Sequence, residues 1–332
     1  MSTPNETPWL TVIVAAYNVA DWIDETLASM LEQIDAGVRI LIVNDGSRDS
    51  TLARIEACRA RYPATAGQVE VITQENAGVS AARNRGVAMV TTPWLTFLDG
   101  DDYWLSDYYT TVRAMTEAGR AEVDLIEFNA LSRGVDKKGE VFEKRLDCSA
   151  LGRYRGPLGE AQWRQIFLMS RWYLWNRVFR TALFEGLEFP VGKRYEDLAV
   201  TPLVVLRAES VSATDRALIV YRSNPESIST NLNHTDMHHI GEHIQAHLAQ
   251  VDRHDAPQHK RLLVLLACQT MLYYKMITNV CDGYVRSIAP LRRMIRRIRP
   301  YRRRHRIELP TRTRLLFMSP ALSNLYTWLK MR

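Results

Sequence analysis

Cysteine is scarce and scattered in this chain. Cys58, Cys148, Cys268 and Cys281 lie far apart and form no CxxC pair, so the sequence supplies neither a zinc knuckle nor a disulfide framework and fits a reducing, cytoplasmic setting. Long apolar runs are missing too. The stretch Leu262–Cys268 falls well short of the roughly 20 residues a membrane-crossing helix needs. Met1 to Pro8 is polar without a basic segment, from which no secretory leader is expected. There is no HExxH pair, no internal repeat and no low-complexity tract beyond a local enrichment in arginine. Acids are all but missing from one region: Arg286 to Arg332 holds 14 Lys/Arg with Glu308 as its single acid, a balance of +13 in a chain whose net charge is +6. The rest of the chain is therefore net acidic, and a basic tail on an acidic body points to a dedicated anionic partner.

What the sequence does have is a core. Its 332 residues are 46% apolar, enough for one large or two modest domains. Strand-like and helix-like stretches alternate at the start: Leu10–Ala16, a helix from about Asp21, Arg39–Val43, a helix from Ser50, Val69–Thr73, a helix from Ser80, then Trp94–Leu98. Short Val- and Ile-rich runs separated by amphipathic helices predict parallel strands buried on both faces, an α/β doubly wound, Rossmann-like and mostly parallel sheet. We expect residues 1–125 to form a nucleotide-binding half, 126–232 an acceptor half of the same domain, and 233–332 a helical C-terminal region.

In such sheets ligands bind beyond the carboxyl ends of the strands. Tyr17-Asn18, Asn44-Asp45-Gly46-Ser47 and Asp99-Gly100-Asp101-Asp102 all fall there, so three loops should converge on one site. Asp99, Asp101 and Asp102 crowd three carboxylates into four residues, with no lysine or arginine beside them in sequence, and such crowding calls for a cation. Oxygen ligands without cysteine select a hard divalent ion, Mg2+ or Mn2+; the plain alternative is a solvated acidic turn. Asp45 suits a ring N–H of a nucleotide base, because a carboxylate only accepts. Ser47, Asp49 and Ser50 are better placed than Asp45 to cap the following helix, which leaves Asp45 free.

The order of Val12-Ile13-Val14-Ala15-Ala16-Tyr17-Asn18, Val43-Asn44-Asp45-Gly46-Ser47-Arg48-Asp49-Ser50-Thr51, Asn76-Ala77-Gly78-Val79-Ser80-Ala81-Ala82-Arg83-Asn84-Arg85-Gly86 and Phe97-Leu98-Asp99-Gly100-Asp101-Asp102 resembles the family-2 glycosyltransferases of GT-A fold. Each segment is weak alone, and four in order are strong. Trp175-Asn176-Arg177-Val178-Phe179, Tyr195-Glu196-Asp197-Leu198 and Tyr221-Arg222-Ser223 resemble segments of bacterial surface-glycan members. The resemblance covers about residues 9 to 230. It implies that Ala15, Tyr17, Asp45 and Asn76 border the nucleotide, that Arg83 steadies the donor loop, and that Asp99, Asp101 and Asp102 hold diphosphate and metal, with Asp101 and Asp102 on the metal. It further implies Asp197 as catalytic base and Trp175, Asn176 and Glu196 on the acceptor side. The expected activity is an inverting transfer from a nucleotide-diphosphate sugar, a UDP-sugar, to a glycan or lipid-linked hydroxyl in surface polysaccharide synthesis. Leu168 stands where the processive synthases carry glutamine before Arg171-Trp172, which implies a non-processive enzyme.

A sugar-phosphate nucleotidyltransferase would need a glycine-rich phosphate loop where Ala15-Ala16-Tyr17-Asn18 stands. A non-catalytic membrane- or RNA-binding relic of a nucleotide fold has only the tail in its favour. His239, His243 and His247 share one helical face with polar neighbours and read as a solvated helix rather than a metal site; His234 is a weak metal candidate. Trp172, Tyr173 and Trp175 are either core or a sugar platform. Leu291, Met294, Ile295 and Ile298 form an apolar stripe among arginines. They read as a peripheral docking helix for the anionic inner face of a membrane, with a helix packed on the body as the alternative. No RNA-binding motif is present, so nucleic acid is not expected as a partner.

Overall fold

The structure, a computed structural model, describes residues 7–117, 123–135, 139–223 and 231–330. The chain clusters into two units, Met1–Leu158 with Trp172–Asn224, and Gly159–Arg171 with Pro225–Arg332. The second unit thus takes in one helix from the middle of the sequence.

Among the described residues, the first unit carries one sheet. Its strands are β1 (Leu10–Ala16), β2 (Val38–Asn44), β3 (Val69–Thr73), β4 (Trp94–Asp99), β5 (Tyr103–Trp104), β6 (Leu125–Val135), β7 (Val141–Leu146), β8 (Tyr154–Pro157), β9 (Arg177–Arg180) and β10 (Ser210–Arg222). The main path runs β3-β2-β1-β4-β9-β6-β10-β5, with β7 on β6 and β8 on β10. The β3-β2-β1-β4 half is parallel. Leu10, Val12, Ile13 and Val14 are fully buried, as a central strand covered on both faces requires; each such side chain stabilises the fold by about 1.5–3 kcal/mol. Antiparallel β9 then joins β4 to β6, and β6 and β10 pair in parallel.

Helices α1 (Ile23–Leu31), α2 (Thr51–Arg61), α3 (Val79–Ala88), α4 (Tyr108–Glu117) and α6 (Glu196–Val205) belong to this unit, while α5 (Glu160–Met169) belongs to the other. Where α3 crosses β1, a Cβ on Gly86 would sit 2.5 Å from Ile13 Cγ2, so only glycine permits that approach. On the far side, Glu127 and Arg177 are register partners. They form an ion pair at 2.7 Å with almost no exposure, and removing one partner of such a pair costs about 3–5 kcal/mol.

The second unit contains α5, α7 (His234–Val251), α8 (Pro257–Arg286), α9 (Ile288–Arg304), α10 (Thr311–Met318) and α11 (Pro320–Lys330). Asn233 and Asp236 form a capping box at the start of α7, and α8 kinks where Gly283 takes φ 75°. Two expectations are corrected here. His239, His243 and His247 are buried, so this face of α7 is not solvated. Leu291, Met294, Ile295 and Ile298 are also buried, and α9 packs on α8 and α7. The apolar stripe of α9 is part of the fold and is not available for docking on a membrane, because covering it with protein removes it from water just as lipid would. No described helix is long and apolar enough to cross a membrane.

Candidate active site

Register brings the predicted loops together. Ala15 lies opposite Val43 of β2 and Asp99 of β4, and Ala16 lies opposite Asn44. The polar residues that follow each strand therefore share one edge of the sheet. Asn18, at φ 51°, donates its backbone N–H to Ser47 Oγ at 3.1 Å and accepts from Arg48 N at 2.8 Å. Asp49 accepts from Ala20 N and from Thr51 N at the start of α2; burial pushes its carboxyl up, and these donors together outweigh it and hold the carboxyl below the usual range. Tyr17 is exposed at this edge, a ring with an open face.

Asp45 is free of capping but has another task. It is 2% exposed. Its Oδ1 accepts from Gln74 Nε2 at 2.7 Å and Ala77 N at 3.0 Å, and its Oδ2 from Gly78 N at 2.8 Å and Asn76 Nδ2 at 3.2 Å. Four donors occupy the lone-pair sites of one carboxylate, so Asp45 holds the 74–78 loop that leads into α3. Gly46 stands beside it at φ 70°, where a Cβ would meet Asn76 N at 2.8 Å.

On the other side of β1, Gly100 packs so closely that a Cβ would lie 3.0 Å from Val19 Cγ2. Asp99 and Asp102 are bridged by a backbone hydrogen bond of 3.0 Å. The three acids of this loop meet different surroundings. Asp99 Oδ1 accepts from Arg83 Nη2 at 2.7 Å. Asp102 is 1% exposed and turns inward; its Oδ1 accepts from Arg222 N at 2.8 Å, while its Oδ2 finds no donor among the described residues. Burial first, then Asp101 and Asp99, raise its pKa well above the usual carboxylate range. The Asp101 carbonyl accepts from Arg222 Nη1 at 2.5 Å.

The expectation that no cation neighbours this loop is thus corrected: Arg83 and Arg222 reach it from distant parts of the sequence. Arg222 also pairs with Glu25 and stacks its guanidinium over Tyr103 and Trp22 at 4.5 and 5.2 Å. Sequence reasoning missed this positioning residue, together with Gln74, and the only signal for Arg222 lay in its resemblance segment.

Arg83 joins this loop to α6. It is 6% exposed and pairs with Glu196 as well as Asp99. Asn84 exchanges two hydrogen bonds with the backbone of Phe189, at 2.7 and 2.8 Å, fixing the segment that leads to α6. Tyr195, the residue before α6, adopts φ 61°, a left-handed conformation that tertiary contacts must impose on a non-glycine residue. Next to Glu196, Asp197 accepts from Leu198 N at 2.7 Å. Loss of hydration and the adjacent Glu196 raise the Asp197 pKa to about 7, with Arg83 opposing them. A carboxylate in that range can take up a proton near neutral pH.

Two acceptor assignments are corrected. Trp175 is 5% exposed and stacks on Tyr173 and Tyr221 at centroid distances of 4.6 and 5.5 Å; it is core, with no open face for a sugar. Asn176 is fully buried and bonded to the backbone of Phe128. Trp172 is buried as well. His234 is exposed and paired with Asp282 at 2.9 Å.

The description of Glycosyl transferase family 2 matches residues 11–182, more than half of the chain, and the chain belongs to that family. It is 27% identical over 261 residues to the glycosyltransferase GlyA of Streptococcus pneumoniae, covering 77% of this chain and 36% of that protein. It spans 63 to 64% of three further glycosyltransferase relatives. Among solved structures, S. aureus TarS 1-349 in complex with UDP-GlcNAc superposes with a TM-score of 0.70 at 18% identity, over 96% of this chain and 89% of that one. The mannosyltransferase PcManGT from Pyrobaculum calidifontis, in complex with GDP-Man and Mn2+, gives 0.53 at 17% identity over 97% and 88%. The fold is thus the GT-A type of α/β glycosyltransferases.

Proposed function

We propose that this protein transfers a sugar, with inversion and one unit at a time, from a UDP-sugar to a hydroxyl of a glycan or lipid-linked acceptor in surface polysaccharide synthesis. The observation that carries this reading is the chain of contacts Asp99–Arg83–Glu196 with Asp197 beside it. It sets a carboxylate with a pKa of about 7 near the loop that carries Asp99, Asp101 and Asp102. The UDP donor is taken from the TarS complex.

In this reading Tyr17 and Ala15 border the base, and Asp45 with Asn76 shapes the loop that encloses it. Arg83 orients Asp99 toward the donor and, through its ion pair, holds Glu196 in place beside the acceptor. Asp197 removes the acceptor hydroxyl proton, and the oxygen attacks the anomeric carbon from the side opposite the departing diphosphate. Asp101 and Asp102 would hold Mg2+ or Mn2+. The donor set suits such an ion: it is all carboxylate, and Asp102 Oδ2 is buried without a donor. With two carboxylates from the chain, the rest of the ion's shell would come from phosphate oxygens and water. When bound, the metal supplies charge stabilisation to the leaving diphosphate.

The test is a panel of nucleotide sugars scored for thermal stabilisation and for slow hydrolysis with Mn2+. Stabilisation by UDP-sugars together with release of UDP supports the proposal. Binding of none of them leaves the non-catalytic reading.

A further inference from the structure

Helix α11 is built inside out. Its buried side is polar: Ser323 and Asn324 are 3% and 2% exposed. Lys275 of α8 donates to the Ser323 carbonyl, Ser323 Oγ and Thr327 Oγ1 at 2.7, 2.8 and 2.7 Å. Asn324 donates to the Tyr284 carbonyl at 2.7 Å and Ser287 Oγ at 2.8 Å, and accepts from Asn279 at 3.2 Å. Its outward side is apolar. Leu322, Leu325, Tyr326 and Leu329, at helical spacings, are 56, 50, 43 and 59% exposed. Exposed Met318 precedes them in sequence, and exposed Trp328 lies between Tyr326 and Leu329.

A helix packed only for its own fold buries its leucines and leaves lysine, serine and asparagine to water. Here an ammonium is taken out of water to clamp the polar face down, and three leucines are held out.

The surroundings of this face select its occupant. Lys330 Nζ lies 5.0 Å over the Tyr326 ring, Arg312 acts electrostatically on the same tyrosine, and Arg314 is exposed on the preceding helix. Glu308 is the only acid from Arg286 to Arg332. A second copy seated on this face would set like charge against like charge across a self-complementary interface, and a nucleic acid would leave the leucines in water. An anionic lipid surface satisfies both parts: apolar side chains enter the acyl boundary, tyrosine and tryptophan sit at the headgroups, and the cations meet phosphate.

We propose that the outward face of α11 docks this protein on anionic lipid. This surface takes the place of the α9 stripe, and it does not rest on the sugar-transfer reading.

The test is flotation of the full chain with vesicles of phosphatidylcholine alone and with phosphatidylglycerol added, at about 0.1 M salt. Compared with the parent are a Leu322→Gln/Leu325→Gln/Leu329→Gln variant and an Arg312→Glu/Lys330→Glu variant. All five side chains are exposed, and unchanged melting shows that the fold is kept. The parent should bind anionic vesicles about tenfold or more above neutral ones, and each variant should lose about tenfold or more of that binding. UDP-sugar binding should stay unchanged in both. Equal binding by the leucine variant and the parent overturns the proposal. So does a parent that stays in solution with anionic vesicles, or one that self-associates at micromolar concentration through these leucines without floating.

Discussion

Arg83 and Glu196 stand 113 positions apart and form an ion pair on which the geometry of the candidate site depends. The same guanidinium holds Asp99 at 2.7 Å, so one cation joins the acidic loop after β4 to the first turn of α6. Replacing it with methionine leaves two carboxylates facing each other at low exposure, and stability should fall by about 3 kcal/mol in urea unfolding. Arg83 also holds the Asp197 pKa down, so the acid limb of the activity profile should move to higher pH. Neither change occurring would show that the pair does not organise the site.

Asp197 has a raised pKa, and the sign of its effect on stability follows. Between its ordinary value of 3.8 and about 7, the folded protein keeps a proton that the unfolded chain has lost. The contribution of Asp197 to stability therefore falls as pH rises through that window and is at its least favourable above it. Asp197→Asn should melt higher than the parent above about pH 7 and alike below about pH 4, read by calorimetry. Transfer should drop by about 10²–10⁴-fold with UDP-sugar affinity retained. A variant whose donor affinity collapses would assign Asp197 to the donor side instead.

Asp45→Ala would leave the Ala77 and Gly78 amides without their acceptor. Nucleotide affinity should weaken about ten- to hundredfold by calorimetry, and hydrogen exchange over residues 74–78 should rise with it. Loss of affinity at unchanged exchange would mean that Asp45 touches the base directly rather than through the loop.

Asp101→Asn and chelation should each weaken UDP binding by about tenfold, and added Mn2+ should restore affinity only to the parent. Arg222 bonds the carbonyl of Asp101 at 2.5 Å, so Arg222→Met should lower the Mn2+ effect without touching nucleotide affinity measured in chelator. Affinity independent of metal in the parent would shift the diphosphate charge to Arg83 and Arg222.

The strands of the parallel half, the polar clusters at their carboxyl ends and the helical C-terminal region were legible in the sequence, because strand and helix periodicities are local and the ligand edge of a parallel sheet follows from chain direction. Only the tertiary structure decided which charges meet. Arg83 reaches Glu196, and Arg222 reaches the Asp101–Asp102 turn, because β9, β6 and β10 fold back beside β4, and nothing local encodes those distances. Asp45 looked free because its partners, Gln74 and the 77–78 amides, lie on another loop. An amphipathic pattern states that a face is apolar and leaves open what covers it. The stripe of α9 is covered by its own helices, while α11 is turned the other way, its polar side held by Lys275 and its leucines exposed.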